Sequence, residues 1–322
     1  MQNLVRNLSR AATLRQLEIL ATVYRLGSIK AASEALHLTQ PTVSMQLKKL
    51  GEAAGMPLYQ MMGRKLVFTD SGREIAQSAT RVFSELSGLE MRLADLRGLR
   101  SGALKLSVVT TSKYFIPHML GPFCERYPGI DIQLNVGNRQ QIIDRLERGD
   151  EDFYVFSHPP EDIDTVSTEF LVNPLVVIAP ESHPLAGKRR VSLSQLAKEP
   201  FLMREPGSGT RFAIEQFLKK HNLKLNVKMT IESNEAIKHA VMSGLGISIL
   251  SAHTLTFGGN AGLAELRVDK LPVNTSWHMV WPKSKSLSPI ADRFLQYVHD
   301  EGRRLIEGEF KRTGLIATKR LR

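Results

Sequence analysis

The sequence predicts a three-part fold: a small unit of short helices closed by a hairpin, one long amphipathic helix, and a larger α/β domain of two lobes. Three observations carry this reading. Apolar residues recur at helical spacing in three short segments between Leu14 and Ala54. A 4-3-4-3 spacing then runs from Ile75 to Leu96, and from Ser101 onward the rhythm becomes strand, helix, strand. With 322 residues, 42% of them hydrophobic, the chain can bury more than one core. The expected divisions are residues 13–70, 71–98 and 101–306, followed by a basic tail at 307–322 read as a solvated end.

The first helix follows from Leu17, Leu20, Ala21 and Tyr24, spaced i, i+3, i+4, i+7, with Gly27 placed where a C-terminus wants positive φ. Ser28 supplies an N-cap for a second, short helix whose Ala31, Ala32 and Ala35 allow close helix approach. A brief turn leads to Gln40 and Pro41, and proline suits a first helical turn because its missing N–H would be orphaned there. On this third helix Val43, Leu47, Leu50 and Ala54 share one face, while Thr42, Met45, Gln46 and Lys49 share the opposite one. A helix, a tight turn and a second helix with hydrogen-bonding side chains near its start is the geometry that enters the major groove of DNA. Glutamine can meet adenine bidentately, and lysines neutralise phosphates.

LYQMM and KLVF then read as strands joined through Gly63-Arg64, a wing with a basic tip. Thr69 caps a long helix whose apolar positions are Ile75, Ala79, Val82, Leu86, Leu89, Leu93 and Leu96. A heptad seam of this length, on the order of 40 Å at ~1.5 Å per residue, predicts a dimerisation helix. Charge agrees with the N-terminal assignment. Residues 1–100 carry 14 Lys/Arg against 8 Asp/Glu, whereas 101–300 carry 22 against 21, so a polyanion partner is expected for the first part alone.

From Ser101 the runs LKLSVV, DIQLNV, FYVF, LVVIA, PFLM, KMTIES, ISIL and HMVW alternate with helical segments, which predicts α/β architecture with mostly parallel strands. The single cysteine, Cys124, excludes an internal disulfide and fits a reducing cytosol. No stretch approaches the ~18 apolar residues of a membrane span, and the first residues lack the apolar core of a signal peptide, so the expected location is the cytoplasm.

The stretch AASEALHLTQPTVSMQLKKL, followed by PLYQMMGRKLVFTDSGRE, resembles the LysR-type transcriptional regulators, and the resemblance extends over nearly the whole chain. YFIPHMLGPFCERYPGI, LNVGNRQ, SHPPE, NPLVVIAPESHPLAG and REPGSGTR are similar to the branch that regulates RubisCO and carbon-concentrating operons. The resemblance implies a winged helix-turn-helix, a linker-helix dimer and an effector domain like the two-lobed periplasmic binding proteins. It implies DNA contacts at Gln40, Pro41, Thr42, Ser44, Met45 and Lys48, with Arg64 on the wing, where periodicity alone favours Gln46 and Lys49 over Ser44 and Lys48. Expected partners are double-stranded operator DNA, further copies of the chain as a homodimer and beyond that a homotetramer, and RNA polymerase. Gly51 and Gln60-Met61-Met62 depart from the family pattern, and Gly51 is expected to weaken its helix by up to ~1 kcal/mol relative to alanine.

In the second half, TTSKYF and PGSGTR each follow a strand, so Thr111 and Ser112, and Gly207, Ser208, Gly209 and Thr210, are expected to open helices whose N-termini suit a carboxylate or phosphate. Ser157 and His158 end another strand, where ligands of α/β sheets gather. Arg204 or Arg211 would supply counter-charge. The expected ligand is a small anionic effector, which the resemblance makes a phosphorylated or carboxylated metabolite of carbon metabolism, with no cofactor and no metal. PGSGTR is neither a Walker loop nor a nucleophile elbow, and the histidines show no H-E-x-x-H spacing, so no catalytic residues are assigned. An α/β enzyme fused to a DNA-binding domain is the rival class.

Overall fold

The structure, a computed structural model, describes residues 8, 10–63, 65–96 and 101–313 and separates into two compact units that divide between Leu93 and Ala94. In the first unit α1 spans Leu14–Leu26, opened by a capping box in which Thr13 and Gln16 bond each other reciprocally and closed by Gly27 at φ 63°. Helix α2 (Ile29–Ala35) is capped by Ser28, and α3 (Gln40–Ala54) by Thr39 with Pro41 in its first turn.

The three helices close on Ile19, Leu20, Val23, Ala32, Leu47 and Leu50, all at 1% exposure or less. Each large aliphatic buried this fully stabilises by ~1.5–3 kcal/mol. The buried face of α1 is Gln16, Ile19, Leu20 and Val23, a rotation from the expected stripe. Leu17 and Tyr24, both half-buried, flank it instead, with Tyr24 edge-on to Phe68 at 5.0 Å. Of the alanines on α2 only Ala32 is fully buried, and Ala35 is exposed.

Strands β1 (Tyr59–Met62) and β2 (Lys65–Phe68) form the antiparallel hairpin, with Gly63 at φ 63° in its turn. Arg64 lies outside the described residues. Helix α4 runs Asp70–Leu96, and the Thr69 hydroxyl caps it by accepting from Gly72 N–H at 3.0 Å. A Cβ on Gly72 would stand 1.8 Å from the Leu58 carbonyl oxygen, so this turn admits glycine alone.

In the second unit β3 (Ser101–Val109) lies parallel to β4 (Gly129–Gly137) and β5 (Phe153–Phe156). Helices α5 (Ile116–Arg126) and α6 (Arg139–Arg148) provide the crossovers. Two long strands, β6 (Thr165–Pro180) and β11 (Val273–Pro282), pair antiparallel along their length, with a register shift between Trp277 and His278. One end of β11 pairs with β5, and the far end of β6 pairs with β9 (Ser248–Ser251) and β10 (Leu263–Leu266), so both strands run through both lobes. β7 (Pro200–Arg204) and β8 (Asn226–Ile231) are parallel to each other. Shorter helices α7 (Leu193–Leu196), α9 (Asn234–Met242), α10 (Ala252–Gly258) and α11 (Pro289–Tyr297) lie in the remaining connections.

The expectation of mostly parallel strands is therefore corrected to a mixed sheet. Crossover helices make neighbours parallel within a lobe, but a strand that leaves one lobe and returns from the other must oppose its partner.

One lobe packs Phe115, Phe123, Phe153 and Phe294 with Trp277, whose ring centroid is 5.3 Å from that of Phe115. The other buries Val177, Phe201, Ile214, Ile247 and Leu266 beneath α8 (Gly209–Lys220). The stretch expected to be tail from 307 is helical in its first part. Helix α12 spans Arg303–Arg312 and buries Phe310, and only the residues beyond 313 lie outside the description.

Candidate functional site

On α3 the structure separates the two sets of outward residues. Gln40, Pro41, Met45, Lys48 and Lys49 are exposed, Met45 to 47%. Ser44 is half-buried, and Thr42 Oγ1 lies 2.8 Å from Thr39 Oγ1 within the N-terminal cap. Gln46 is half-buried, and Gln16 Nε2 donates to its Oε1 at 3.1 Å, tying that oxygen back to α1. Gln46 stands three residues after Val43 and four before Leu50, both buried, so it lies at the edge of the buried face rather than opposite it.

The α4 seam changes character along its length. Ala79 is buried and Ile75 half-buried, but Val82, Leu86, Leu89 and Leu93 stand 38–47% exposed at successive 4-3-4 spacings. The side chain of Leu96 lies outside the described residues.

In the second unit one narrow cleft collects Thr111, Ser157, His158, Arg204, Ser208, Gly209 and Thr210 from the expected set, together with Thr110, Arg139, Phe156 and Glu205. It encloses about 20 Å³. Gly209 permits the closure, because a Cβ there would meet Ser157 Oγ at 2.4 Å. Across the cleft Asn234 Nδ2 donates to Thr111 Oγ1 at 3.1 Å, and Arg204 donates to Asn234 and, at 3.4 Å, to Thr110 Oγ1. Tyr114 donates from its hydroxyl to Glu235 Oε1 at 2.7 Å; burial and that carboxylate together raise the phenol's pKa.

The arginines around the cleft differ in their surroundings. Arg204 is 2% exposed and paired with Glu205 at 2.7 Å, so its charge is already balanced. Arg211 bonds Glu215 and the Arg204 carbonyl and does not line the cleft. Arg139, at the start of α6, does line it, half-buried, with no carboxylate in ion-pairing range among the described residues. Burial lowers its pKa, partly offset by Asp162. His158 is likewise held below its ordinary value, first by burial and then by Arg139, and so stays neutral near pH 7.

Two further expected residues fall elsewhere. Ser112 spends its hydroxyl on the Val109 carbonyl at 2.9 Å within the 3₁₀ turn Ser112–Tyr114, and Gly207 is an exposed turn at φ 82°. Arg139 was missed because nothing in RQQIIDRLERG sets its first residue apart from an ordinary surface arginine. The available signal was its place at a strand-to-helix junction, directly after LNVGN.

Comparison with known proteins decides the family. Residues 14–73 match the model of the bacterial regulatory helix-turn-helix protein, lysR family, and residues 97–303 that of the LysR substrate binding domain.

The chain belongs to the LysR family.

It is a LysR-type DNA-binding transcriptional regulator. Over 293 residues, 90% of this chain and 96% of the other, it is 48% identical to the HTH-type transcriptional activator CmpR of Synechocystis sp.. It is 41% identical over 290 residues, 90% and 94% of the two chains, to a RuBisCO operon transcriptional regulator of Acidithiobacillus ferrooxidans. Among solved structures, the Synechocystis PCC6803 CcmR regulatory domain in complex with 2-PG is 45% identical, with a TM-score of 0.59 over 62% of this chain and 96% of that one. A full-length OxyR variant from Pseudomonas aeruginosa, 22% identical, shares the fold of both parts at a TM-score of 0.71, over 91% of this chain and 95% of that one. Among the described residues of this LysR-type regulator, no helix is long and apolar enough to cross a membrane, and no cluster of three or more His, Cys, Asp or Glu side chains could hold a metal ion.

Proposed function

We propose that this regulator controls genes of carbon fixation or carbon acquisition, and that its effector is a small phosphorylated carboxylate bound in the cleft beside Arg139. One observation carries the effector reading: the cleft joins the Arg139 guanidinium, which donates to the His158 carbonyl at 3.4 Å and has no ion-pair partner among the described residues, the hydroxyls of Thr111, Ser157, Ser208 and Thr210, and the first turn of α8. Such a set holds an anion by charge, by neutral donors and by the positive pole of a helix. The 48% identical relative is a transcriptional activator, the 41% identical one regulates a RuBisCO operon, and a 45% identical regulatory domain binds 2-PG, which makes 2-PG the first candidate.

About 20 Å³ accommodates a single water, so the lobes must part around β6 and β11 to admit a ligand and close on it afterwards. Closure then gives the ligand different contacts in the two arrangements, which is what allows it to shift DNA affinity. In the same reading the exposed seam of α4 pairs two copies, and DNA is read by Gln40, Met45, Lys48 and Lys49 of each. The working divisions are 13–70, 71–98 and a domain from 101 through α12.

Calorimetry of 2-PG on the full chain tests the cleft. Arg139→Ala should weaken binding by ~1.5–3 kcal/mol, or about 10- to 150-fold, and Thr210→Ala by ~0.5–1.5 kcal/mol. Unchanged affinity in both variants would place the effector elsewhere.

A further inference from the structure

The wall formed by Ser157, His158 and Gly209 has a second side. Behind it lies a separate cavity of about 640 Å³, within the range of small-molecule sites and far roomier than the cleft. Its floor is apolar, made by Phe212, Ala213 and Phe217 of α8 with Pro272 and Val273 at the start of β11. Phe212 is 39% exposed and stacks on the His158 ring at a centroid distance of 4.0 Å and an interplanar angle of 23°. That pair presents an aromatic surface beside the opening.

The rim is cationic. Lys220 and Lys270 line the cavity, no carboxylate among the described residues does, and Lys270 Nζ lies 3.4 Å from His221 Nδ1. Lys270 also holds φ at 61°, a left-handed backbone that disfavours side chains and that glycine or asparagine would adopt more readily. His221 is kept below its ordinary pKa by desolvation and by these two lysines, as expected where like charges gather without a counter-ion.

From this juxtaposition of a broad apolar floor, an aromatic stack and an uncompensated pair of lysines, we infer a second ligand site, for an anion that carries a planar apolar body. The body would lie against Phe212 and Phe217, and the charge would meet Lys220 and Lys270. A phosphate or small carboxylate alone would leave the floor unfilled, so the ligand class differs from that of the cleft. The inference stands whether or not the cleft holds the effector.

Naphthalene-2-sulfonate is a suitable probe, titrated by calorimetry into the full-length protein. It should bind once per chain. Methanesulfonate, which lacks the body, and 2-naphthol, which lacks the charge, should each bind at least tenfold more weakly. Ala213→Trp fills the floor and should abolish binding. Because that change also abuts the core, the double variant Lys220→Glu/Lys270→Glu, confined to exposed positions, provides the independent arm and should weaken the sulfonate at least tenfold. Absence of sulfonate binding to the wild type, or binding to the double lysine variant within twofold of wild type, would overturn the proposal.

Discussion

The N-terminal unit and the effector domain treat their polar side chains in opposite ways. On α3 Gln40, Lys48 and Lys49 face water, alongside a methionine 47% exposed; in the cleft Thr111, Arg204, Ser208 and Thr210 are each at most 6% exposed. Exposed groups keep their hydration and rotamer freedom until a partner arrives, so their contribution comes largely from charge and falls with salt. Buried groups were desolvated and oriented when the domain folded, and Thr111, Asn234 and Arg204 already bond one another across the cleft. Such a site gains affinity by preorganisation and discriminates sharply, because a wrong ligand leaves buried donors unmatched. The difference teaches that one part of the molecule is completed by another macromolecule and the other by something small.

The largest expected effect breaks the first half of that contrast. Leu86→Glu combined with Leu89→Glu puts charge into the exposed seam of α4 and should give monomers by light scattering, with operator affinity lowered on the order of 100-fold or more through loss of bivalent binding. A variant that remains dimeric and binds as before would show that the seam does not hold two copies together.

The next effect sharpens the second half. His253 is fully buried against Phe115 and Phe310, 3.5 Å from Trp277 Nε1, and burial pushes its pKa down to about 3. The unfolded chain takes up this proton near its ordinary value of ~6.5, while the folded chain does not until about 3. The stability linked to it is thus complete above ~6.5 and is lost as pH falls toward 3, amounting to ~2 kcal/mol by pH 5. Urea midpoints followed by near-ultraviolet circular dichroism at pH 7 and pH 5 should show this loss in the wild type and a smaller one in His253→Gln. Equal losses in both would mean that the histidine protonates freely in the folded state.

The smallest effect returns to the exposed face. Lys48→Ala should weaken DNA binding for all sequences alike and reduce the slope of log affinity against log salt by about 1. An unchanged slope would remove Lys48 from the phosphate backbone.

How much of this was legible in the sequence follows the same division. The elements of the first unit are local: caps at Thr13, Ser28 and Thr39, the glycine at 27 and the 3.6-residue period fix α1 to α3 within a few residues of one another. Strand positions were also legible, because β-branched runs mark them, but pairing was not. The antiparallel course of β6 and β11 depends on segments about a hundred residues apart, which no local pattern encodes.

The cleft shows the same limit at the level of single residues. Ser208 to Thr210 announced themselves by turn chemistry, whereas Arg139 became visible only when the fold carried the start of α6 to the ends of β3 and β5. Gln46 shows the same limit on the other unit: its residue type suggested DNA, and its hydrogen bond to Gln16, thirty residues away, is not legible locally.

The two crossing strands also set an order of assembly. β5 ends at Phe156 and its partner on that edge, β11, begins at Val273, so during synthesis the edge of β5, a strand buried at all four residues in the finished fold, waits while about 117 residues are added. At ~5–20 residues per second that is roughly 6–25 s in which the lobe built first has an open strand edge. Neither lobe can be finished before β11, at Val273–Pro282, has been made. For that interval the half-made domain presents an open edge on which another strand can mispair.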